Sequence, residues 1–354
     1  MAQRSARATP APARPQQPAR GGAASPLPPA RIAYSSYAAI DLGTNNCRLL
    51  IARPSQHGLV VVDSFSRIVR LGEGLAASGA LSEAAMDRAI EALRVCADKI
   101  VKRRVGLVRS VATEACRRAR NGRAFIDRVY DETGLALEII SPEQEARLAM
   151  TGCHALLEPG DGPAMIFDIG GGSTELILLE GGGSHDLPQI LDWCSIPWGV
   201  VSLSESELVD HSSAAARQAG YAALRARVTD ALVGFAERIA MPDIGARLLG
   251  TSGTVTTLGS VYLNLPRYDR RAVDGLVVPA QAMRDISREL SALSVAERSR
   301  VSSIGNERAD LVVAGCAILE SILDVWPAER LVVADRGIRE GILRSLMARD
   351  GHVW

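Results

Sequence analysis

The chain has 354 residues, with 40 basic and 40 acidic side chains, 47% apolar residues and 4% aromatic ones. That composition excludes a fibre, a disulfide mini-protein and a disordered chain, and it places the protein in the ordinary soluble globular class. Residues 1–36 hold five Arg, seven Pro and ten Ala with no acid, so they cannot build a core and read as a flexible arm whose makeup also resembles a transit peptide. The other 318 residues carry 35 basic and 40 acidic groups, a formal charge of −5, which argues against a nucleic-acid partner.

From residue 37 the expected elements are strands at 38–42, 47–52 and 59–64, then a helix at 82–103 capped by Ser82. A strand at 105–111, a helix at 117–133, a strand at 136–140 and a helix at 142–157 complete an α/β series with a mixed sheet. A turn cluster at 158–163 follows, and the pattern restarts with strands at 165–168, 174–179 and 189–196. Helices at 214–239, 279–290, 309–325 and 338–347, with strands at 247–249 and 330–333, are expected beyond it. About 320 residues exceed what one core usually serves, so two domains are expected. Their bounds are 37–157 and 158–337, with a C-terminal helix at about 338–350 packing back on the first. The six cysteines form no C-x-x-C pair and sit mostly in apolar runs, which points to a reducing cytoplasm and no zinc site. No apolar run reaches 18 residues and the arm lacks an apolar signal core, so neither a membrane span nor a secretory signal is expected.

The restart is an internal repeat. Asp41-Leu-Gly-Thr-Asn-Asn-Cys-Arg-Leu-Leu-Ile-Ala52 lies over Asp168-Ile-Gly-Gly-Gly-Ser-Thr-Glu-Leu-Ile-Leu-Leu179 at an offset of 127, which sets Arg48 opposite Glu175 in the alignment. Each copy is a strand ending in Asp, a Gly-rich turn and a second strand. Such turns bring several backbone N–H groups to one point and suit a phosphate, and the Asp can hold a divalent cation through oxygen or water. A plain hairpin turn would explain one copy; two in register argue for a shared cleft with similar loops on opposite walls. Leu249-Gly-Thr-Ser-Gly-Thr-Val255 is a third candidate, a strand, a small-residue turn and a helix whose N-terminus could accept phosphate. A helix cap from Thr251 or Ser252 would account for it equally simply.

Ser141-Pro142-Glu143-Gln144 has a cap, a Pro at the first helical position and a Gln at the third, which fixes a helix start. Glu145 then shares a face with Ala149 and Gly152, and a carboxylate on that small-residue face beside a cleft would have the raised pKa of a useful base. Pairing with Arg147 or with a neighbouring helix is the alternative. Arg117, Arg118 and Arg120 each offer a guanidinium fork to phosphate, and Arg48 reads either as a phosphate contact or as an ion-pair partner. The five His lie in no motif and are given no role.

Two Asp-x-Gly loops with a third Gly-Thr loop resemble the superfamily of actin, Hsp70 chaperones and sugar kinases. Within it the chain is most similar to the exopolyphosphatase and guanosine pentaphosphate phosphohydrolase family. The likeness is carried by Ala39-Ile-Asp-Leu-Gly-Thr-Asn-Asn46, Val111-Ala-Thr-Glu-Ala-Cys-Arg-Arg-Ala-Arg-Asn121, Glu138-Ile-Ile-Ser-Pro-Glu-Gln-Glu-Ala-Arg147, Phe167-Asp-Ile-Gly-Gly-Gly-Ser-Thr-Glu175 and Gly250-Thr-Ser-Gly-Thr254. Glu307-Arg-Ala-Asp310, Ala314-Gly-Cys-Ala-Ile-Leu319 and Gly337-Ile-Arg-Glu-Gly-Ile-Leu343 follow in order.

The resemblance implies two ribonuclease H-like (actin-like ATPase) α/β domains facing each other across a central cleft, in the short two-domain form without the family's extra C-terminal helical domains. It implies Glu145 as the catalytic base, and Mg²⁺ or another divalent cation held by Asp168 and Glu175. Asp41, Gly43, Thr44, Asn45, Asn46, Arg117, Gly170, Gly171, Gly172, Ser173, Thr174, Gly253 and Thr254 would bind phosphate. The implied activity is release of the terminal phosphate of inorganic polyphosphate, or of the 5′ terminal phosphate of guanosine pentaphosphate, by a cytoplasmic homodimer with no nucleic-acid or membrane partner. An ATP-driven kinase or an actin-like nucleotide switch is the reading of a different class.

Overall fold

Continuous apolar runs broken by glycine turns give the first sheet its strands, β1 (Tyr37–Leu42), β2 (Asn46–Ser55), β3 (Gly58–Ile68), β4 (Leu107–Ala112) and β5 (Leu137–Ile139). The computed structural model describes residues 36–56, 58–158, 160, 162–180, 187–206, 212–239 and 247–352. The arm expected at 1–36 therefore lies outside the described residues except for Ser36, whose carbonyl accepts from the Gly106 N–H. Strand order is β3-β2-β1-β4-β5, an antiparallel meander followed by two parallel strands. β1 is apolar throughout because both its faces are covered: Ala38, Ile40 and Leu42 meet the outer helices, while Tyr37 and Ala39 meet an inner core.

The second sheet repeats that path with β6 (Ala164–Ile169), β7 (Thr174–Leu179), β8 (Ile190–Ile196), β9 (Arg247–Thr251) and β11 (Arg330–Ala334), and adds β10 (Leu276–Pro279) antiparallel at the edge. The repeat seen in the sequence is thus a repeat of topology, and the fold is a mixed α/β arrangement of two sheets. Residue pairing keeps it in register, with Asp41 opposite Arg48 and Asp168 opposite Glu175.

Each half ends in a helix that packs on the sheet of the other half. Helix Pro142–Cys153 lies against β6, β7 and β8, and helix Ile338–Arg349 against β1, β2 and β4. With the inner faces of both sheets these helices form one shared core that includes Tyr37, Leu50, Ile166, Ile177, Ile342 and Leu346. Its presence makes the described residues from Ser36 onward a single compact unit. The two helices cross at glycines because the backbones touch: a Cβ on Gly152 would lie 2.0 Å from the Gly337 carbonyl oxygen, and one on Gly341 2.0 Å from that of Leu148. Gly341→Ala is therefore expected to destabilise by at least about 2 kcal/mol. Gly234→Ala, in a helix where nothing lies within 4 Å of the added carbon, should stabilise by about 0.5 kcal/mol. Urea unfolding of both variants checks the contrast, and equal midpoints would refute the close crossing.

Some elements differ from expectation. The helix expected at 117–133 is two, Glu114–Arg118 and Gly122–Thr133, because the chain turns where Gly122 packs on the Cys116 carbonyl, 2.0 Å from any added Cβ. The helix expected to 157 ends at Cys153 in a short 3₁₀ turn, and β3 runs on to Ile68. Strand β10 and the short helices Leu75–Ser78 and Val200–Ser206 were not anticipated.

Candidate active site

Two hairpin turns, one from each sheet, meet at the centre of the molecule. The Gly43 N–H donates to the Asn46 carbonyl at 2.9 Å, and the Gly170 N–H to that of Ser173 at 3.0 Å, so the two turns are built alike. A Cβ on Gly171 would lie 3.0 Å from the Asn45 nitrogen, and one on Gly172 2.6 Å from Thr44 Oγ1. Only glycine lets these turns approach so closely. Between them and the β9 turn opens a cleft of about 1140 Å³, counting the solvent open to it.

Asp41, Gly43, Thr44, Asn45, Asn46, Glu145, Asp168, Gly170, Gly171, Gly172, Ser173, Gly253 and Thr254 line this cleft together. At its third wall Ser252 has φ +97°, a strained value for a residue with a side chain, and gives no side-chain cap to helix Gly253–Tyr262. Thr44 Oγ1, Asn45 Oδ1 and Ser252 Oγ are buried with no hydrogen-bond partner. A buried polar group without a partner is costly, and three of them around one cleft mark a place where a ligand completes the bonding: the Thr44 and Ser252 hydroxyls can donate to an oxygen-rich anion, while Asn45 Oδ1, an acceptor, suits a water or a cation.

Glu145 stands on the helix start anticipated from the sequence: Ser141 and Gln144 form a reciprocal capping box with Pro142 between them. The carboxylate is 6% exposed. It pairs with Arg117 at 2.8 Å, while Arg147 pairs with Glu143 at 3.1 Å instead. Burial first, then the nearby Glu175 and Asp41 charges, push the Glu145 carboxyl well up from its usual range against the pull of Arg117. Burial likewise raises Asp41, and brings Asp168 to about 7 with help from Glu175 and Asp41.

Three residues expected on the wall stand behind it. Thr174 is fully buried and donates its hydroxyl to the Trp198 carbonyl at 2.7 Å. Glu175 is 1% exposed, and its Oε1 accepts from Ser173 Oγ at 2.7 Å and from Ser195 Oγ at 2.8 Å. Arg117 points its guanidinium at Glu145, Glu114 and the Ile140 carbonyl. Asp41, expected among the phosphate contacts, is a carboxylate and would repel phosphate unless a cation lies between them.

Among the described residues no three His, Cys, Asp or Glu side chains converge as a ready metal cage. Mg²⁺ needs less, taking one or two carboxylates with water and substrate oxygens. Asp41 and Asp168 fit that requirement, since both carboxylates line the cleft and each is held above its usual pKa by burial. Sequence reasoning gave no role to Glu114, Arg308, Arg336 or Arg339, all on the cleft wall. Arg308 donates to Thr257 Oγ1 at 2.7 Å and Arg336 to Asp274 at 2.8 Å. Arg48 reaches across from the first sheet, its Nη2 3.5 Å from where a Cβ of Gly253 would lie.

Residues 50–350 match the profile of the Ppx/GppA phosphatase family. The chain is 30% identical over 331 residues to Exopolyphosphatase 2 of Mycobacterium tuberculosis, covering 89% of this chain and 99% of that protein. It is 29% identical over 315 residues to the guanosine-5'-triphosphate,3'-diphosphate pyrophosphatase of Aeromonas salmonicida, covering 89% of this chain and 60% of that one. Among solved structures, a Ppx/GppA family member from Aquifex aeolicus aligns with a TM-score of 0.71 at 29% identity, covering 90% of this chain and 99% of that one. An exopolyphosphatase from Cytophaga hutchinsonii aligns with a TM-score of 0.78 at 25% identity, covering 89% and 98%.

Proposed function

The chain belongs to the Ppx/GppA phosphatase family, and from that premise we propose that it hydrolyses the terminal phosphoanhydride bond of inorganic polyphosphate, releasing orthophosphate. The observation that carries the reading is the buried Glu145 carboxylate on the wall of a cleft formed by two glycine turns. In this mechanism the turns at 43–46 and 170–173 hold the terminal phosphoryl group, and the Thr44 and Ser252 hydroxyls donate to its oxygens. Glu145 takes a proton from a water held for in-line attack, and the chain leaves one phosphate shorter. A divalent cation held by Asp41 and Asp168, when bound, would neutralise charge on the phosphoryl oxygens. Positioning and charge neutralisation supply most of the rate.

Guanosine pentaphosphate is the second reading, favoured by the likeness to the Aeromonas pyrophosphatase over 89% of this chain. The full-length match to an exopolyphosphatase puts polyphosphate first. Purified protein with Mg²⁺ is expected to release phosphate from polyphosphate without ATP, and guanosine pentaphosphate assayed beside it ranks the two. Release only when ATP is added would replace the hydrolase by a kinase or a nucleotide switch.

A further inference from the structure

We propose that Glu114 is a positioning residue for this hydrolysis, fixing Arg117 so that one arm of its guanidinium holds Glu145 on the cleft wall. The inference rests on the hydrolase reading for its kinetic consequences and on geometry alone for the linkage. Helix Glu114–Arg118 starts just after β4 and places Glu114 one turn before Arg117. Glu114 Oε2 accepts from Arg117 Nε at 3.2 Å and from Nη2 at 3.0 Å. The other arm, Nη1, donates to Glu145 Oε2 at 2.8 Å and to the Ile140 carbonyl at 2.7 Å.

An arginine has five N–H groups in a rigid plane. Four of those on Arg117 are committed within the protein. Gripping one edge of that plane fixes the other edge, and Glu114 holds the edge that would otherwise swing on a long stem. Glu114 is itself pressed against the phosphate turn: a Cβ on Gly172 would lie 2.9 Å from Glu114 Cγ. The side chains of Glu114, Arg117 and Glu145 are 20%, 14% and 8% exposed, so little water is present to loosen the arrangement. Glu114 thus connects the β6–β7 turn to the base through one rigid side chain.

In steady-state phosphate release by the full chain with Mg²⁺ and polyphosphate, Glu114→Ala is expected to lower kcat about tenfold while KM stays within about twofold. Glu114→Gln keeps an acceptor oxygen and should recover most of the rate. On an Arg117→Met background Glu114→Ala should cost nothing more. A rise in KM at constant kcat, or a full further loss on that background, would overturn the proposal. Urea midpoints give a readout independent of turnover: Glu114→Ala and Glu145→Gln combined should shift the midpoint by an amount different from the sum of the two single shifts. Additive shifts would show that Arg117 does not link them. If wild-type protein releases no phosphate from either substrate the hydrolase reading fails, and the unfolding cycle still decides the linkage.

Discussion

Glu145→Gln is expected to release phosphate about 10³-fold more slowly than wild type, while unfolding at nearly the same urea concentration. The rate effect follows from position. The side chain lines the cleft, is almost fully buried, and stands on a helix whose start is fixed by a capping box. Glutamine keeps the shape and one acceptor for Arg117 but cannot take a proton from water. The small effect on stability follows from two opposed changes. Glu145 has its folded pKa raised by burial and by Glu175 and Asp41. A carboxyl shifted that way contributes stability that is present below its unfolded pKa and lost as the pH rises through its folded one. The substitution removes that loss and also weakens the bond to Arg117, which keeps Glu114 as a counter-charge at 3.0 Å. The same shift fixes the pH dependence of turnover: kcat should climb with pH along an acidic limb lying above the ordinary carboxylate range. A Gln variant retaining more than about a tenth of wild-type kcat would exclude Glu145 as the base.

The fold was largely legible because its strongest signals are local. Asp41 to Ala52 and Asp168 to Leu179 each carry their own apolar alternation and glycine turn, and a hairpin of that kind folds on the information it contains. Strand β10 escaped because it has four residues, Leu276–Pro279, and ends on a proline that also reads as a helix start. Of the two exchanged end helices, the return of Ile338–Arg349 to the first sheet is expected from the sequence, whereas the crossing of Pro142–Cys153 onto the second sheet escaped for the opposite reason. Gly152 meets the backbone of Gly337 and Gly341 that of Leu148, contacts close to two hundred positions apart along the chain, and no periodicity encodes a contact so distant.

The site divides the same way. Loop residues Gly43 to Asn46 and Gly170 to Ser173 were readable because the turns that hold them are local. The position of Glu175 behind the wall is not legible locally because its partners are split: Ser173 lies two residues away, but Ser195 comes from the neighbouring strand β8. Arg308 and Arg339 stand in Glu307-Arg-Ala-Asp310 and Gly337-Ile-Arg-Glu-Gly-Ile-Leu343, so the family motifs carried them, but nothing in their spacing says that they reach a cleft whose other wall is Asp41. Glu114 had a visible signal, an acid three residues before Arg117 on one helix face.

The other large effect is expected at Asp168, where Asp168→Asn should abolish Mg²⁺-dependent phosphate release and at the same time make the metal-free protein more stable at neutral pH. Burial, with Glu175 and Asp41 close by, brings the Asp168 carboxyl to about 7 against the pull of Arg48. An aspartate raised that far contributes its stability only below the unfolded value of about 4 and loses it as the pH climbs to about 7, which costs the folded state on the order of 3 kcal/mol at neutral pH. Asparagine has no charge to bury and does not incur that loss. Metal-free melts should therefore agree at pH 4 and separate at pH 7, with the variant higher. Added Mg²⁺ should reverse the order, since a cation bound by the native state alone raises the melting temperature of the wild type and has lost a ligand in the variant. The carboxylate is then a site held at a stability cost for the sake of what it binds. A variant that melts below wild type at both pH values would mean that Asp168 is a structural hydrogen-bond acceptor and not one of the groups that hold the cation.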